Sequence, residues 1–318
     1  MHYDVFNGDA DGIIALLQLR LAEPRTSELV TGVKRDIKLV EKVDLSAQDS
    51  MAVLDISMAK NMDGLVAALE LGVDVFYADH HQSGDIPSHP ALDANIDLDA
   101  NTCTALIIDK LLKGQYHLWA ITAAYGDNLL AVASKLAYKQ GLSSEQKDQL
   151  KELGTLINYN GYGAKVEDLH YHPADLYRAL VAYSSPFDVI ADEASPFYKL
   201  QHAYQEDMNK ALAIDAQYRS DKLGLFELPN SAASRRISGV YGNMLANQDP
   251  DSAHAVLTEN ADGTYTVSLR APLNNKQGAS DICGQFATGG GRAAAAGINA
   301  LDKSEVETFI QAVETAYA

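Results

Sequence analysis

The stretch Val73–His81 reads VDVFYADHH, an apolar run that ends on a carboxylate and two adjacent histidines. A short apolar run of this kind fits a buried strand, and the polar residues fall at its carboxyl end. Two earlier segments repeat the arrangement. Tyr3–Phe6 forms a strand candidate leading into Asn7-Gly8-Asp9-Ala10-Asp11-Gly12, and Met51–Ile56 (MAVLDI) is a compact apolar run with Asp55 near its end. Between them the spacing predicts helices over about 12–21 and 61–71. Alternating strands and helices argue for a parallel sheet in an α/β fold. In such sheets ligands bind outside the carboxyl ends of the strands, so Asp9, Asp11, Asp55, Asp79, His80 and His81 are aimed at one edge.

Taken singly, most of these signals are ordinary. Asp-x-Asp-Gly describes a polar turn, a strand-end aspartate caps the next helix, and Asp127 in AAYGDN merely follows a helical segment. Together, Asp9, Asp11, Asp55, His80 and Asp127 offer oxygen and imidazole donors with no thiolate. That set suits hard or borderline divalent ions such as Mn²⁺ and argues against a structural zinc site. Two such ions about 3.5–4 Å apart share a carboxylate and a water, lower its pKa and clamp an in-line displacement at phosphorus.

Composition narrows the field. The 318 residues carry 43 acidic against 25 basic side chains, a net charge of -18. A long nucleic-acid groove needs many lysines and arginines to replace counterions, so a long strand is a poor partner. A small anionic substrate remains compatible, because bound metal reverses the local field. Cys103 and Cys283 are too few for a disulfide framework. No stretch nears the ~20 apolar residues of a membrane span. The opening MHYDVFNGDADG lacks an export pattern, and the expected location is cytoplasmic.

Farther along, 104–216 reads as mainly helical, with a capping box at Ser143-Ser144-Glu145-Gln146 and a long polar helix over 195–217. Strand signals return at LGLFEL (223–228), followed by a hairpin around Asp262-Gly263 leading into TYTVSLR. A glycine-rich loop (288–291) and a small-residue strand come next, and an amphipathic helix over 304–317 follows Asp302. The expected organisation is a parallel-sheet domain with helices on both faces over 1–192, a helical connector over 193–220, and a smaller α/β domain over 221–318.

The order DxDG, strand–Asp, DHH and a later Asp resembles the DHH phosphoesterase superfamily. Val267-Ser268-Leu269-Arg270, followed by Gly289-Gly290-Gly291-Arg292-Ala293-Ala294-Ala295-Ala296-Gly297, resembles the SxR and GGGHxxAAG elements of the DHHA1 domain. The resemblance implies a DHH–DHHA1 protein, in the group of RecJ-like exonucleases, nanoRNases and dinucleotide phosphodiesterases. It implies that Asp9, Asp11, Asp55, His80 and Asp127 are metal ligands, with Asp55 bridging two Mn²⁺ ions (Mg²⁺ or Co²⁺ as alternatives). Asp79 would orient His80, and His81 would contact the scissile phosphate. Arg270, Gly289, Gly290, Gly291 and Arg292 would grip the substrate, the glycines by close backbone approach and the arginine through its planar fork. Two positions depart from the pattern. Val5 stands where the family usually has a histidine, so Asn7, Asp4 or water would have to substitute. Arg292 stands for the histidine of GGGH, favouring a terminal phosphate or a guanine edge, or else pairing with Asp281.

The expected function is metal-dependent hydrolysis of short linear oligonucleotides, above all 5′-phosphorylated dinucleotides such as pGpG, to mononucleotides. The rivals are a phosphoesterase for cyclic dinucleotides, 3′-phosphoadenosine 5′-phosphate or polyphosphate, and a non-catalytic nucleotide sensor with a degenerate metal site. Expected partners are the short substrate, with no long nucleic acid and no membrane, and the chain is open to homodimer formation. The tyrosines at 159, 162, 171, 177 and 183 read as core rather than as base-stacking platforms. Arg235-Arg236 reads as a solvated strand entry, and Cys103 as structural.

Overall fold

Strand-forming runs with two buried faces build the first sheet. The computed structural model describes residues 1–318, and the chain divides into two compact units, Met1–His202 and Ala203–Ala318. In the first unit, strands β1 (His2–Phe6), β2 (Glu28–Val30), β3 (Ser50–Leu54), β4 (Asp74–Asp79) and β5 (Leu92–Ile96) lie in the order β2-β1-β3-β4-β5. Every neighbouring pair is parallel. The period of two divides the sheet's side chains between its faces. Tyr3, Val5, Met51, Val53, Val75 and Tyr77 share one apolar cluster with Leu65, Ala68 and Leu69. Those last three belong to helix α2 (Met62–Glu70), while α1 (Ala10–Ala22) runs from the end of β1 and also touches β3.

Helices α3 (Thr104–Leu111), α4 (His117–Gly126), α5 (Leu130–Lys139) and α6 (Ser144–Gly161) follow, then α7 (Pro173–Leu180), α8 (Pro186–Ala191) and α9 (Pro196–Leu212). Ser143 and Gln146 form the reciprocal capping box that starts α6. Helix α4 packs on α6 and on α1. The α4–α6 contact is tight at Gly154, where an added Cβ would lie 2.1 Å from the Thr122 carbonyl oxygen. Tyr159 is buried with its hydroxyl 2.9 Å from His170 Nε2, and Tyr177 packs against Phe6 with the rings tilted by 55°. These tyrosines serve packing, as expected. The division between the units falls within α9.

The second unit holds a mixed six-stranded sheet, β6 (Tyr218–Arg219), β7 (Leu223–Leu228), β8 (Ala253–Glu259), β9 (Tyr265–Arg270), β10 (Gly289–Gly291) and β11 (Ala295–Leu301). Its order is β10-β11-β9-β8-β7-β6. The β8–β9 hairpin turns at Gly263, whose φ of 85° needs a residue without Cβ. Helices α10 (Ala232–Gln248), α11 (Ala279–Cys283) and α12 (Val306–Ala316) complete the unit. Leu225, Leu257, Leu269, Ile298 and Phe309 anchor its apolar core.

Two sequence expectations change here. Arg235-Arg236 lies in the first turns of α10 rather than at a strand entry, and Arg236 Nη2 pairs with Asp207 at 2.8 Å. The glycine-rich segment is not an open loop. Gly289–Gly291 pairs antiparallel with β11, and the hairpin closes where the Arg292 N–H donates to the Ala295 carbonyl at 2.9 Å. No helix is long and apolar enough to cross a membrane. Both cysteines are buried and unpaired.

Candidate metal centre

The carboxyl ends of β1, β3 and β4 bring the candidate residues of the first unit together. Asp9 caps α1, its Oδ1 accepting from the N–H groups of Asp11 at 3.0 Å and Gly12 at 3.1 Å. Asp11 sits in the first turn of the helix with both oxygens engaged. They accept from the backbone N–H groups of Thr104 (2.7 Å) and Ala105 (2.8 Å), at the start of α3. A carboxylate there satisfies orphan donors and complements the helix dipole, so Asp11 docks α3 beside the site.

Asp55 follows β3 with φ of 58°, a left-handed conformation that disfavours a Cβ. Such strain costs on the order of 1–3 kcal/mol and persists where surrounding contacts enforce it. The contacts here are the Asp55 N–H to the Ala78 carbonyl at 3.1 Å and the Thr104 hydroxyl to Asp55 Oδ1 at 3.1 Å.

The histidines are oriented separately. His80 Nδ1 lies 3.0 Å from the Thr102 carbonyl oxygen, which makes Nδ1 a donor and turns Nε2 toward the carboxylates. That Nε2 lies 3.5 Å from Asp55 Oδ1 and 3.7 Å from Asp11 Oδ2. His81 Nδ1 lies 2.7 Å from Asp79 Oδ1, and the two imidazoles meet edge-on with centroids 4.5 Å apart. The sequence expectation that Asp79 holds His80 is therefore corrected. Successive residues leave the end of β4 in different directions, so Asp79 reaches His81, two residues on, and a backbone carbonyl from the α3 approach takes His80. Asp79 Oδ2 is buried without a hydrogen-bond partner.

Electrostatics divide the cluster. Burial pushes the Asp55 carboxyl well up, and the charges of Asp11, Asp9, Asp79 and Asp127 add to it. Burial also acts against Asp9, yet the Lys34 ammonium, the Gly12 N–H and the Asp55 carboxyl pull it down to about 2. Lys34 Nζ lies 2.5 Å from Asp9 Oδ2, 3.3 Å from Asn158 Oδ1 and 4.0 Å from Asp127 Oδ1. Asp127 caps the end of α4.

The donors fit a divalent cation. Asp55, His80 and His81 can present ligand atoms within 4.8 Å of one another, and the Thr102 carbonyl orients the His80 ring as the outer partner of a metal-binding histidine does. Cys103 is buried nearby. Burial, then Asp11 and Asp127, push its thiol up, so it remains protonated and outside the donor set.

Both residues suggested to replace the histidine absent at Val5 are engaged in hydrogen bonds of their own. Val5 is fully buried in the apolar cluster. Asp4 is bound by Arg20 and by the Ser27 hydroxyl. Asn7 is occupied locally, its Oδ1 accepting from the Asp9 N–H and its Nδ2 donating to the Lys34 carbonyl. Sequence reading passed over Thr102, Thr104, Asn158 and the site role of Lys34.

In the second unit, Arg270 is held by two side chains and by the backbone carbonyls of Gly239 and Leu269. Its Nε donates to Asn243 Oδ1 at 2.6 Å, its Nη1 to Ser268 Oγ at 3.0 Å and its Nη2 to the Gly239 carbonyl at 3.3 Å. Ala295 is its cross-strand neighbour, and β10 lies on the far side of β11. Arg292 is exposed at the hairpin end.

Residues 224–318 match the DHHA1 domain family. Comparison with curated protein sequences returns no match. Among solved structures, the fold is similar to a pGpG-specific phosphodiesterase, PggH, from Vibrio cholerae. The TM-score is 0.56 at 12% identity, over 100% of this chain and 99% of that one. An exopolyphosphatase-related protein from Bacteroides fragilis gives a TM-score of 0.53 at 13% identity, over 99% of this chain and 92% of that one. RecJ in complex with Mn²⁺ from Thermus thermophilus gives 0.55 at 17% identity, covering 99% of this chain but 52% of RecJ. At these identities the likeness is one of fold.

Proposed function

We propose that this DHH–DHHA1 protein is a metal-dependent phosphodiesterase that hydrolyses short linear oligonucleotides, with 5′-phosphorylated dinucleotides such as pGpG as its substrate. One observation carries the reading. His80 is locked by the Thr102 carbonyl so that Nε2 faces Asp55 and Asp11, inside a buried carboxylate cluster at the strand ends. Buried carboxylates this close repel one another unless a cation joins them.

In this reading Asp11, Asp55 and His80 hold a divalent ion, with Asp9 and Asp127 flanking them. Mn²⁺ suits the donors, and it supplies Lewis acidity at the scissile phosphate. Asp79 fixes the His81 ring through Nδ1, so the opposite edge of that ring is directed toward the phosphate. The His81 side chain is 31% exposed, against 4% for His80, which suits a group that meets substrate. Arg270 and the Gly289–Arg292 hairpin carry the substrate-binding role. Arg270 arrives oriented by Asn243, Ser268 and Gly239, which reduces the entropy lost on gripping a phosphate. The net charge of -18 weighs against a polymer, because few lysines and arginines are available for a long backbone.

A panel of pGpG, pApA, a longer oligonucleotide, cyclic dinucleotides, 3′-phosphoadenosine 5′-phosphate and polyphosphate tests the substrate class. Rapid Mn²⁺-dependent loss of the linear dinucleotides alone, abolished by Asp79→Ala/His80→Ala, is expected. Processive degradation of long single-stranded DNA would overturn the short-substrate reading. Turnover of none of the panel, with metal bound, would overturn the reading as an enzyme of this class.

A further inference from the structure

Half of the carboxylate cluster already has its own cation. The Lys34 segment is held between the last residue of α6 and the Asp9 loop. The Lys34 N–H donates to the Gly161 carbonyl at 2.9 Å, and its carbonyl accepts from Asn7 Nδ2 at 3.3 Å. Gly8 permits this approach, since a Cβ there would lie 1.9 Å from the Gly32 carbonyl oxygen. Asp36 stiffens the turn by accepting from the Val33 N–H at 3.2 Å. The side chain ends 2.5 Å from Asp9 Oδ2 and 4.0 Å from Asp127 Oδ1, with the Tyr162 ring centroid 5.3 Å away.

The other half has no such partner. Asp55 and Asp11 face His80 Nε2, and no lysine or arginine pairs with either carboxylate in the ion pairs the cluster makes. Val5, buried in the apolar cluster, brings no donor to the Asp9 side.

We infer that Lys34 is a built-in cation of this centre, holding the Asp9–Asp127 half, and that the Asp11–Asp55–His80 half takes a single divalent ion. The inference rests on the metal-dependent reading above and sharpens it. Lys34 is a positioning residue: it neutralises Asp9 at the place where a second ion would otherwise bind, and it keeps the charge count of the cluster without a second metal.

Metal counting tests this on the full chain. Metal-stripped protein is dialysed against Mn²⁺, bound metal is measured by elemental analysis, and the spin state of the bound ion is read by electron paramagnetic resonance. One ion per chain with an isolated six-line Mn²⁺ signal is expected. Lys34→Ala and Lys34→Gln are expected to admit a second, weaker ion and show exchange coupling, while Lys34→Arg stays at one. Two coupled ions in the unaltered chain would overturn the lysine's role and leave the proposed function standing. A count that stays at one in either folded neutral variant would also overturn it. No bound ion at all would remove both readings together.

Discussion

Asp9 and Asp55 are carboxylates 3% and 2% exposed in one cluster, and their surroundings push them in opposite directions. Asp9 is drawn down to about 2 by an ammonium from its own chain, whereas Asp55 is driven up by burial and by four other carboxylates. Burial alone therefore does not set the state of a buried acid. The partner does, and where the chain supplies none, the acid holds its proton unless a cation binds. The cluster divides into an internally neutralised half and a half that, in the proposed reading, recruits metal.

The largest expected effect falls on the recruiting half. Asp55→Asn or His80→Ala should weaken Mn²⁺ binding by at least about 100-fold, since loss of an outer-sphere partner alone costs about 10–100-fold. Equilibrium dialysis with Mn²⁺ checks this, and unchanged affinity would erase the distinction between the halves. Next comes Asp79→Asn. It should lower kcat by about 10- to 100-fold while bound metal stays constant, because Asp79 holds His81 and not His80. A parallel loss of metal would mean that the two histidines share one support.

Gly8→Ala should act on the neutralised half by forcing the Gly32 carbonyl away and withdrawing Lys34 from Asp9. Overpacking of this kind costs about 1–3 kcal/mol, read by denaturant unfolding. Smallest is a test in the second unit, where burial acts almost without a partner. His254 is drawn down to about 4 chiefly by burial, with Arg219 adding and Asp249 opposing, and its Nδ1 makes no hydrogen bond. The folded state binds this proton less readily than the unfolded chain, so stability is full above pH 6.5 and falls as the pH drops toward about 4. The loss is on the order of 2 kcal/mol, and His254→Gln should flatten that stretch of the pH–stability curve.

The recruiting half was legible in the sequence because its residues lie at the ends of apolar runs whose period is visible. Asp55 after MAVL and His80 after VDVFYAD could be placed at one sheet edge without coordinates. The neutralising half was not legible. Lys34 lies in a non-repetitive segment 25 residues from Asp9, and it arrives through a backbone approach permitted by Gly8, which no periodicity encodes. Thr102 acts through its carbonyl, so its side-chain identity carries no signal. Helix α10 was missed although Ile237, Val240, Tyr241 and Leu245 recur at helical spacing, because small and polar residues fill its opening turns. β10 was read as a loop because three glycines have low strand propensity, although the hairpin with β11 forms around them.

The most direct test of the central claim is hydrolysis of pGpG by metal-stripped protein as Mn²⁺ is added back. No turnover without metal, and saturable release of mononucleotide as Mn²⁺ occupies the Asp11–Asp55–His80 half, is the result expected. Hydrolysis at full rate with no metal present, or tight Mn²⁺ binding without release of mononucleotide, would contradict the account.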